Sequence, residues 1–238
     1  MTLSTSQIAT LAAAWLAYAV VHSVLASLTV KHRVEARFPG AMRSYRLMFN
    51  AVAVVLLVPP LWLTVAWHGP LLWRWSGGWA WLADGLALAA IAGFVWSTRY
   101  YDMKVFAGTA QWRSRDATAG DDGALRLSPL HRYVRHPWYA FALVILWTRD
   151  MDAARLTSTI CVTLYFWLGS LLEERKLLEF HGDAYARYRQ RVNGLVPWPG
   201  RILGAAEAEA LTRDAQEAHG KPQGGRHGDP RRAPRSSP

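Results

Sequence analysis

One cysteine in 238 residues, Cys161, leaves no partner for a disulfide framework and no thiolate set for a metal. It lies within an apolar run and reads as a small packing residue. No charged side chain precedes residue 11, so the first apolar run lacks the basic n-region of a secretory leader. That run is also longer than a leader's apolar stretch and is followed by basic residues, so it is expected to be an uncleaved span. Histidines are scarce in the apolar runs: only His22 lies well within one and His68 sits at an edge, which excludes the facing pairs of a membrane haem protein. Acids are outnumbered, 17 against 27 Lys and Arg, giving a formal net charge of +10. No recognisable nucleic-acid module accompanies that excess. It is explained by Lys and Arg beside the apolar runs, facing anionic lipid, so membrane lipids are expected partners and nucleic acid is not.

What is abundant is apolar sequence in blocks. Hydrophobic residues make up 52 % of the chain, with 13 Trp. A bilayer core of roughly 30 Å takes about 20 residues of helix. Residues 8–30, 47–67 and 79–100 meet that length. Residues 137–147 supply only about 16 Å of helix and 155–172 about 27 Å, joined by a polar connection of the length that links antiparallel helices. The pattern predicts an all-α polytopic membrane protein of about five transmembrane helices, ending in a helical hairpin with one short arm. A short surface helix is expected over 183–192, where Tyr185, Tyr188 and Val192 share a face behind Asp183 as cap. The membrane domain is placed at 1–200 and a polar tail at 201–238. In that tail 205–218 has the makings of a surface helix, and the Gly-, Pro-, Arg- and Ser-rich remainder has a disordered composition.

Loop 31–46 carries five Lys/Arg against one acid, and 99–136 carries seven against four, whereas 67–78 holds only Arg74. Basic loops stay cytoplasmic. The expected orientation has the amino terminus outside and the carboxyl terminus inside a bacterial inner membrane. His136 then sits recessed from the cytoplasmic face at the foot of the short arm. The polar, Gly-punctuated loop 108–123 reads as a solvated linker, with a flap over the site as the alternative.

Pro137 suits the first helical position and drives His136 out of helical geometry, so the short arm starts there. Its unpaired N–H groups and helix dipole attract an anion such as a carboxylate, with Arg132 and Arg135 adding charge of the same sign. Glu173 and Glu174 close a nearly full-length span, where the dipole disfavours acids. They call for cations: Arg187, Arg189, Arg191 or a cationic ligand.

The segments Arg135-His136-Pro137-x-Tyr139, Glu173-Glu174-x-x-Leu177 and Gly182-x-x-Tyr185-x-x-Tyr188-x-x-x-Val192, ending at Pro197, resemble the carboxyl-terminal signature of membrane-embedded methyltransferases. That group includes isoprenylcysteine carboxyl methyltransferases, phospholipid N-methyltransferases, and bacterial thiol S-methyltransferase and NnrU-like relatives. The resemblance covers about 125–198. Upstream, His22-Ser23, Ala26, Lys31 and Arg43-x-Tyr45-Arg46 are loosely similar to the thiol-methylating branch. The resemblance implies S-adenosylmethionine as cofactor and a small-molecule or lipid-like methyl acceptor, with S-methylation of a thiol favoured. It implies cofactor-binding roles for Arg135, His136, Pro137, Tyr139, Glu173, Glu174, Tyr185 and Tyr188, with His136 and Glu174 as catalytic candidates and no metal. Methyl transfer from a sulfonium requires in-line positioning and exclusion of water. Carboxyl or phospholipid-amine methylation, a sterol-reductase-like NADPH enzyme and a non-catalytic NnrU-like protein are the alternatives. Two positions depart from the family: Phe141, where glycine is common, and His181, where an aromatic residue usually precedes the glycine. Oligomeric state is not read from this sequence.

Overall fold

The computed structural model describes residues 3–114 and 127–220, and helices dominate it. The helices are α1 (Thr5–Ala26), α2 (Leu28–Arg37), α3 (Met42–Ala66), α4 (Gly78–Ser97), α5 (Met103–Ala107), α6 (Thr109–Arg113), α7 (Pro137–Trp147), α8 (Ala153–Arg191) and α9 (Ala205–Gly220). Four stretches are long and apolar enough to cross a membrane: Thr5–Ala26, Pro39–Ala66, Gly78–Tyr100 and Ala153–Arg191. Pro137–Trp147 is the short apolar arm. The chain is an all-α polytopic membrane protein. Its only sheet among the described residues is a small antiparallel pairing of β1 (Leu71–Trp73) with β2 (Met151–Asp152). That pairing ties the α3–α4 loop to the α7–α8 turn, so both connections lie at one end of the bundle, hereafter the turn end.

Helix boundaries follow capping chemistry. Ser4 opens α1 with a capping box: its side chain accepts from Gln7 N, and Gln7 Oε1 accepts from Ser4 N. The first span stops at Ala26, four residues before the apolar run ends. The reason is Ser27, whose hydroxyl donates to Val24 O and accepts from Val30 N, closing one helix and opening the next. The freed carbonyls at the end of α1 are taken by Tyr45 Oη at 2.6 Å on Leu25 O and Lys176 Nζ at 2.8 Å on Ala26 O. The basic residues Lys31, Arg33 and Arg37 then lie on α2, a separate short helix suited to a membrane interface.

Polar and small residues lock the spans, since lipid tails supply no hydrophobic drive between them. Trp15 Nε1 donates to Ser158 Oγ at 2.9 Å, and that hydroxyl pairs with Thr64 Oγ1 at 2.6 Å, joining α1, α8 and α3. On α4 a buried stripe of Ala83, Ala87, Ala90 and Ser97 receives α7. Phe141 packs against α4 at Gly93: its ring lies 2.7 Å from where a Cβ on Gly93 would stand, so α4 can carry no side chain there.

α8 spans 39 residues, so it outruns the bilayer core and carries Glu173 and Glu174 to its edge. At Gly182 the backbone turns to φ 48° and ψ −128°, which favours glycine, and the helix changes direction there. Beyond the kink Ala184, Tyr185, Tyr188 and Val192 pack with Leu203, Ala208, Leu211 and Ala215. The spacing of Ala208, Leu211 and Ala215 gives α9 the apolar face that it buries there. The remainder of the tail, and residues 115–123 of the expected linker, lie outside the described residues. The preceding part, α5 and α6, is docked on α3: Asn50 Nδ2 donates to Phe106 O and Ala107 O at 3.0 and 3.1 Å.

Candidate active site

The start of α7 is fixed from both sides. Arg135 N donates to Asn193 O at 2.8 Å and His136 N to Gly194 O at 3.0 Å, so the strand-like segment before Pro137 pairs with the chain just past α8. The Arg135 guanidinium then spans this junction. It meets Glu174 Oε1 at 2.6 Å through Nη2 and 2.8 Å through Nε, and Nη1 donates to Arg189 O and Val192 O. His136 Nε2 shares Glu174 Oε1 at 3.1 Å.

The two adjacent carboxylates thus have different fates. The Glu174 side chain is 4 % exposed and its Oε1 is held by Arg135 and His136, whereas that of Glu173 is 49 % exposed. Glu173 Oε2 lies 3.4 Å from both His136 Nδ1 and Tyr139 Oη, at the edge of bonding range. Tyr139 is sandwiched: its ring stacks on His136 at 5.4 Å and 10°, and on Phe166 at 4.6 Å and 4°. The site is a stack of three aromatic rings along α7 and α8 with one half-exposed carboxylate above it. Burial pulls the His136 pKa down, but hydrogen bonds to Glu173 and Glu174 outweigh it and leave the imidazole above its ordinary value.

A second histidine supports the first. His131 accepts Ser128 N on Nδ1 at 3.1 Å, its Nε2 lies 3.4 Å from Tyr101 Oη, and its carbonyl accepts from Tyr188 Oη at 2.8 Å. Burial, followed by the repulsion of His136, pushes its pKa down to about 4. Tyr101 is pushed up to about 12 by burial and the nearby Glu173. Trp138 completes this wall, 4.5 Å from Tyr101 ring to ring and donating to Ser97 Oγ at 2.8 Å.

The structure brings Arg135, His136, Pro137, Tyr139, Glu173 and Glu174 together, with Pro137 buried at the helix start. Tyr185 and Tyr188 lie 1 % exposed within the core shared with α9, where they anchor the junction rather than face an opening. The cation that answers the acidic pair is Arg135. Arg187 and Arg191 are engaged by Asp214 and Glu207, and Arg189 contributes its carbonyl. Arg132, expected beside the helix terminus, donates instead to Leu203 O at 2.8 Å. Sequence reasoning missed Phe166, although it stands seven residues before Glu173 and so on the same helical face. It also missed His131, whose role depends on partners from two distant segments, Tyr101 and Tyr188.

Several curated proteins are similar to this chain. Methanethiol S-methyltransferase of Mycobacterium tuberculosis is 32 % identical over 201 residues, covering 77 % of this chain and 75 % of that protein. The Pseudomonas sp. methanethiol S-methyltransferase is 28 % identical over 190 residues, 76 % and 69 % of the two chains. A 41 % match to methanethiol S-methyltransferase 1 of Bradyrhizobium diazoefficiens runs over 70 residues, and there the chain spans only 25 % of the relative. No family model matches, and no solved structure matches significantly. Apolar helices and these relatives together define the class: an integral membrane methyltransferase. Within that class, the chain belongs to the methanethiol S-methyltransferase family.

Proposed function

We propose that this protein methylates a small alkyl thiol, using S-adenosylmethionine held at the outer end of the His136–Tyr139–Phe166 stack. The observation that carries the reading is the division between the two carboxylates: Arg135 and His136 hold the buried Glu174 through Oε1, while Glu173 stands half-exposed beside two aromatic rings. The donor set fits the cofactor. Glu173 would hold its ammonium group, the face of Phe166 turned away from Tyr139 its sulfonium, and the N–H groups that open α7 its carboxylate. When bound, the cofactor supplies a methyl group on positively charged sulfur.

The chain's own residues do the positioning. Glu174 and Arg135 hold the α7 start against the end of α8, His136 orients Glu173, and the recess excludes water from the transfer. Tyr185 and Tyr188 act from behind by fixing the kinked end of α8. In this reading Lys- and Arg-rich loops face the cytoplasm, the turn end faces outward, and the host membrane is a bacterial inner membrane. The membrane domain runs through about residue 200, with α9 packed onto it.

Titration of purified protein with S-adenosylmethionine and with NADPH tests the cofactor. Binding of the first alone is expected, and Glu173→Gln is expected to weaken it about tenfold, the loss of one charge-assisted hydrogen bond, without shifting Tm. Unchanged affinity in that variant, or binding of NADPH, would overturn the proposal.

A further inference from the structure

A second polar group lies deeper in the membrane region, below the aromatic stack. His22 on α1 pairs through Nδ1 with Tyr165 Oη on α8 at 2.6 Å. Its ring stacks on Tyr18 at 5.5 Å and 27°, and Phe49 of α3 closes the other side at 4.8 Å. All four side chains are only half-buried. This separates them from the Trp15–Ser158–Thr64 lock one to two turns away, where Trp15 and Ser158 are buried and each polar side chain bonds another. Among the described residues His22 Nε2 has no hydrogen-bond partner, so a purely structural link would leave half of the imidazole idle.

The His22 cluster adjoins the aromatic stack at the mouth of the site, where α7 begins. Tyr165 adjoins Phe166, the lowest ring of the stack on Tyr139. It precedes Glu173 by eight residues, about 12 Å along α8. An acceptor there would lie further into the bilayer than the donor's charged end and in line with the stack.

We propose that His22, Tyr165, Tyr18 and Phe49 form the acceptor subsite for a small neutral alkyl thiol, with His22 Nε2 as the group that takes the thiol proton. This rests on the thiol-methylating reading above. An alkyl thiol is mostly protonated at neutral pH, and the thiolate is the nucleophile. With Nδ1–H donating to Tyr165 Oη, Nε2 presents its lone pair. The S–H proton passes to Nε2, the sulfur electron pair forms the new S–CH3 bond, and the bond from the methyl to the sulfonium donor breaks with its pair staying on the donor. The products are a neutral thioether, the neutral demethylated donor and a protonated His22 that later releases its proton to water. The aromatic walls suit both the uncharged thiol and its apolar product, which can leave into lipid.

Tyr165 is a positioning residue here, through its hydroxyl on His22 Nδ1. The titratable groups facing His22 are Tyr18 from α1 and Tyr165 from α8, while α3 contributes Phe49. Towards the mouth the next are Tyr139, Glu173 and, at Ala26 O, Lys176.

The test compares an alkyl thiol with an acidic aromatic thiol that is already ionised at neutral pH. In His22→Ala the rate with the alkyl thiol should fall about 10²-fold or more, rise with pH, and recover with added imidazole. The rate with the aromatic thiol and the affinity for the methyl donor should stay near wild type. Tyr165→Phe should shift the pH profile with a smaller loss. Without any donor present, the alkyl thiol should move the 15N resonances of His22 in histidine-labelled protein. An equal loss with both thiols, an unchanged rate with the alkyl thiol, or unmoved His22 resonances would overturn the subsite. If wild-type protein binds the donor yet methylates neither thiol, the thiol-methylating reading itself fails. Normal wild-type turnover with an unimpaired His22→Ala sinks only the subsite.

Discussion

Arginine–carboxylate pairs occur at both ends of the α7–α8 hairpin, and their surroundings differ. At the mouth, Arg135 and Glu174 meet at 2.6 Å with side chains 12 % and 4 % exposed. At the turn end, Arg149 and Asp84 meet at 2.9 Å with side chains 38 % and 60 % exposed, and Arg74 faces Asp150 at 3.5 Å. A buried pair is costly to form and costlier to break, because the survivor is left charged without water. An exposed pair trades one set of favourable contacts for another. The comparison teaches that charge pairing by itself does not distinguish the two ends; burial and a shared histidine do. The mouth holds one backbone geometry, whereas the turn end decorates a connection that β1 and β2 already fix.

The largest expected effect follows from removing one member of the buried pair. Glu174→Ala should cost about 3–5 kcal/mol of stability, read as a large fall in Tm, and should weaken donor binding through displacement of His136. The comparison breaks if this variant melts like one altered at the turn end. Glu173→Gln serves as its neighbour control, since that half-exposed carboxylate leaves no buried charge behind.

A smaller effect is the pH dependence built into the two histidines of the mouth. Both have an ordinary value near 6.5 when unfolded. His136 is raised in the fold, so its contribution is complete below that value and is lost as pH rises through the raised one. His131 is lowered to about 4, so the fold is destabilised as pH falls from about 6.5 towards 4, where the unfolded chain binds more protons. The pair produces a stability maximum near the unfolded value. Thermal melts across pH should show His136→Gln flattening the alkaline limb and His131→Asn the acidic one. A His136 variant whose alkaline limb matches wild type would remove the claim that the carboxylates charge that ring.

Much of this was legible in the sequence where one residue or one length decides the outcome. Apolar blocks must match a bilayer, Pro137 must start a helix, and Gly182 can take the kink. The break at Ser27 was not, because a lone serine in an apolar run interrupts a helix only when other segments, here Tyr45 and Lys176, receive the freed carbonyls. The choice between Glu173 and Glu174 was also hidden. Neighbours on a helix point about 100° apart, and only the placement of Arg135 tells which one faces inward. The docking of α9 depended on Tyr185 and Tyr188 turning towards it rather than towards an opening.

The smallest expected effect lies at the turn end and sharpens the comparison by its sign under salt. Asp84→Ala removes the carboxylate 2.9 Å from Arg149 Nη2, but that nitrogen also reaches Ala83 O at 3.4 Å. The arginine, 38 % exposed, keeps water as a further partner. Stability should change by no more than about 1 kcal/mol, and the difference from wild type should shrink as added salt screens the exposed pair. The Glu174→Ala deficit should persist at the same salt, because mobile ions do not reach a side chain 4 % exposed. Melting curves of the two variants at low and high ionic strength separate the cases. Parallel salt responses would mean that the mouth is as wet as the turn end, and the buried pair could not then be what holds the α7 start in place.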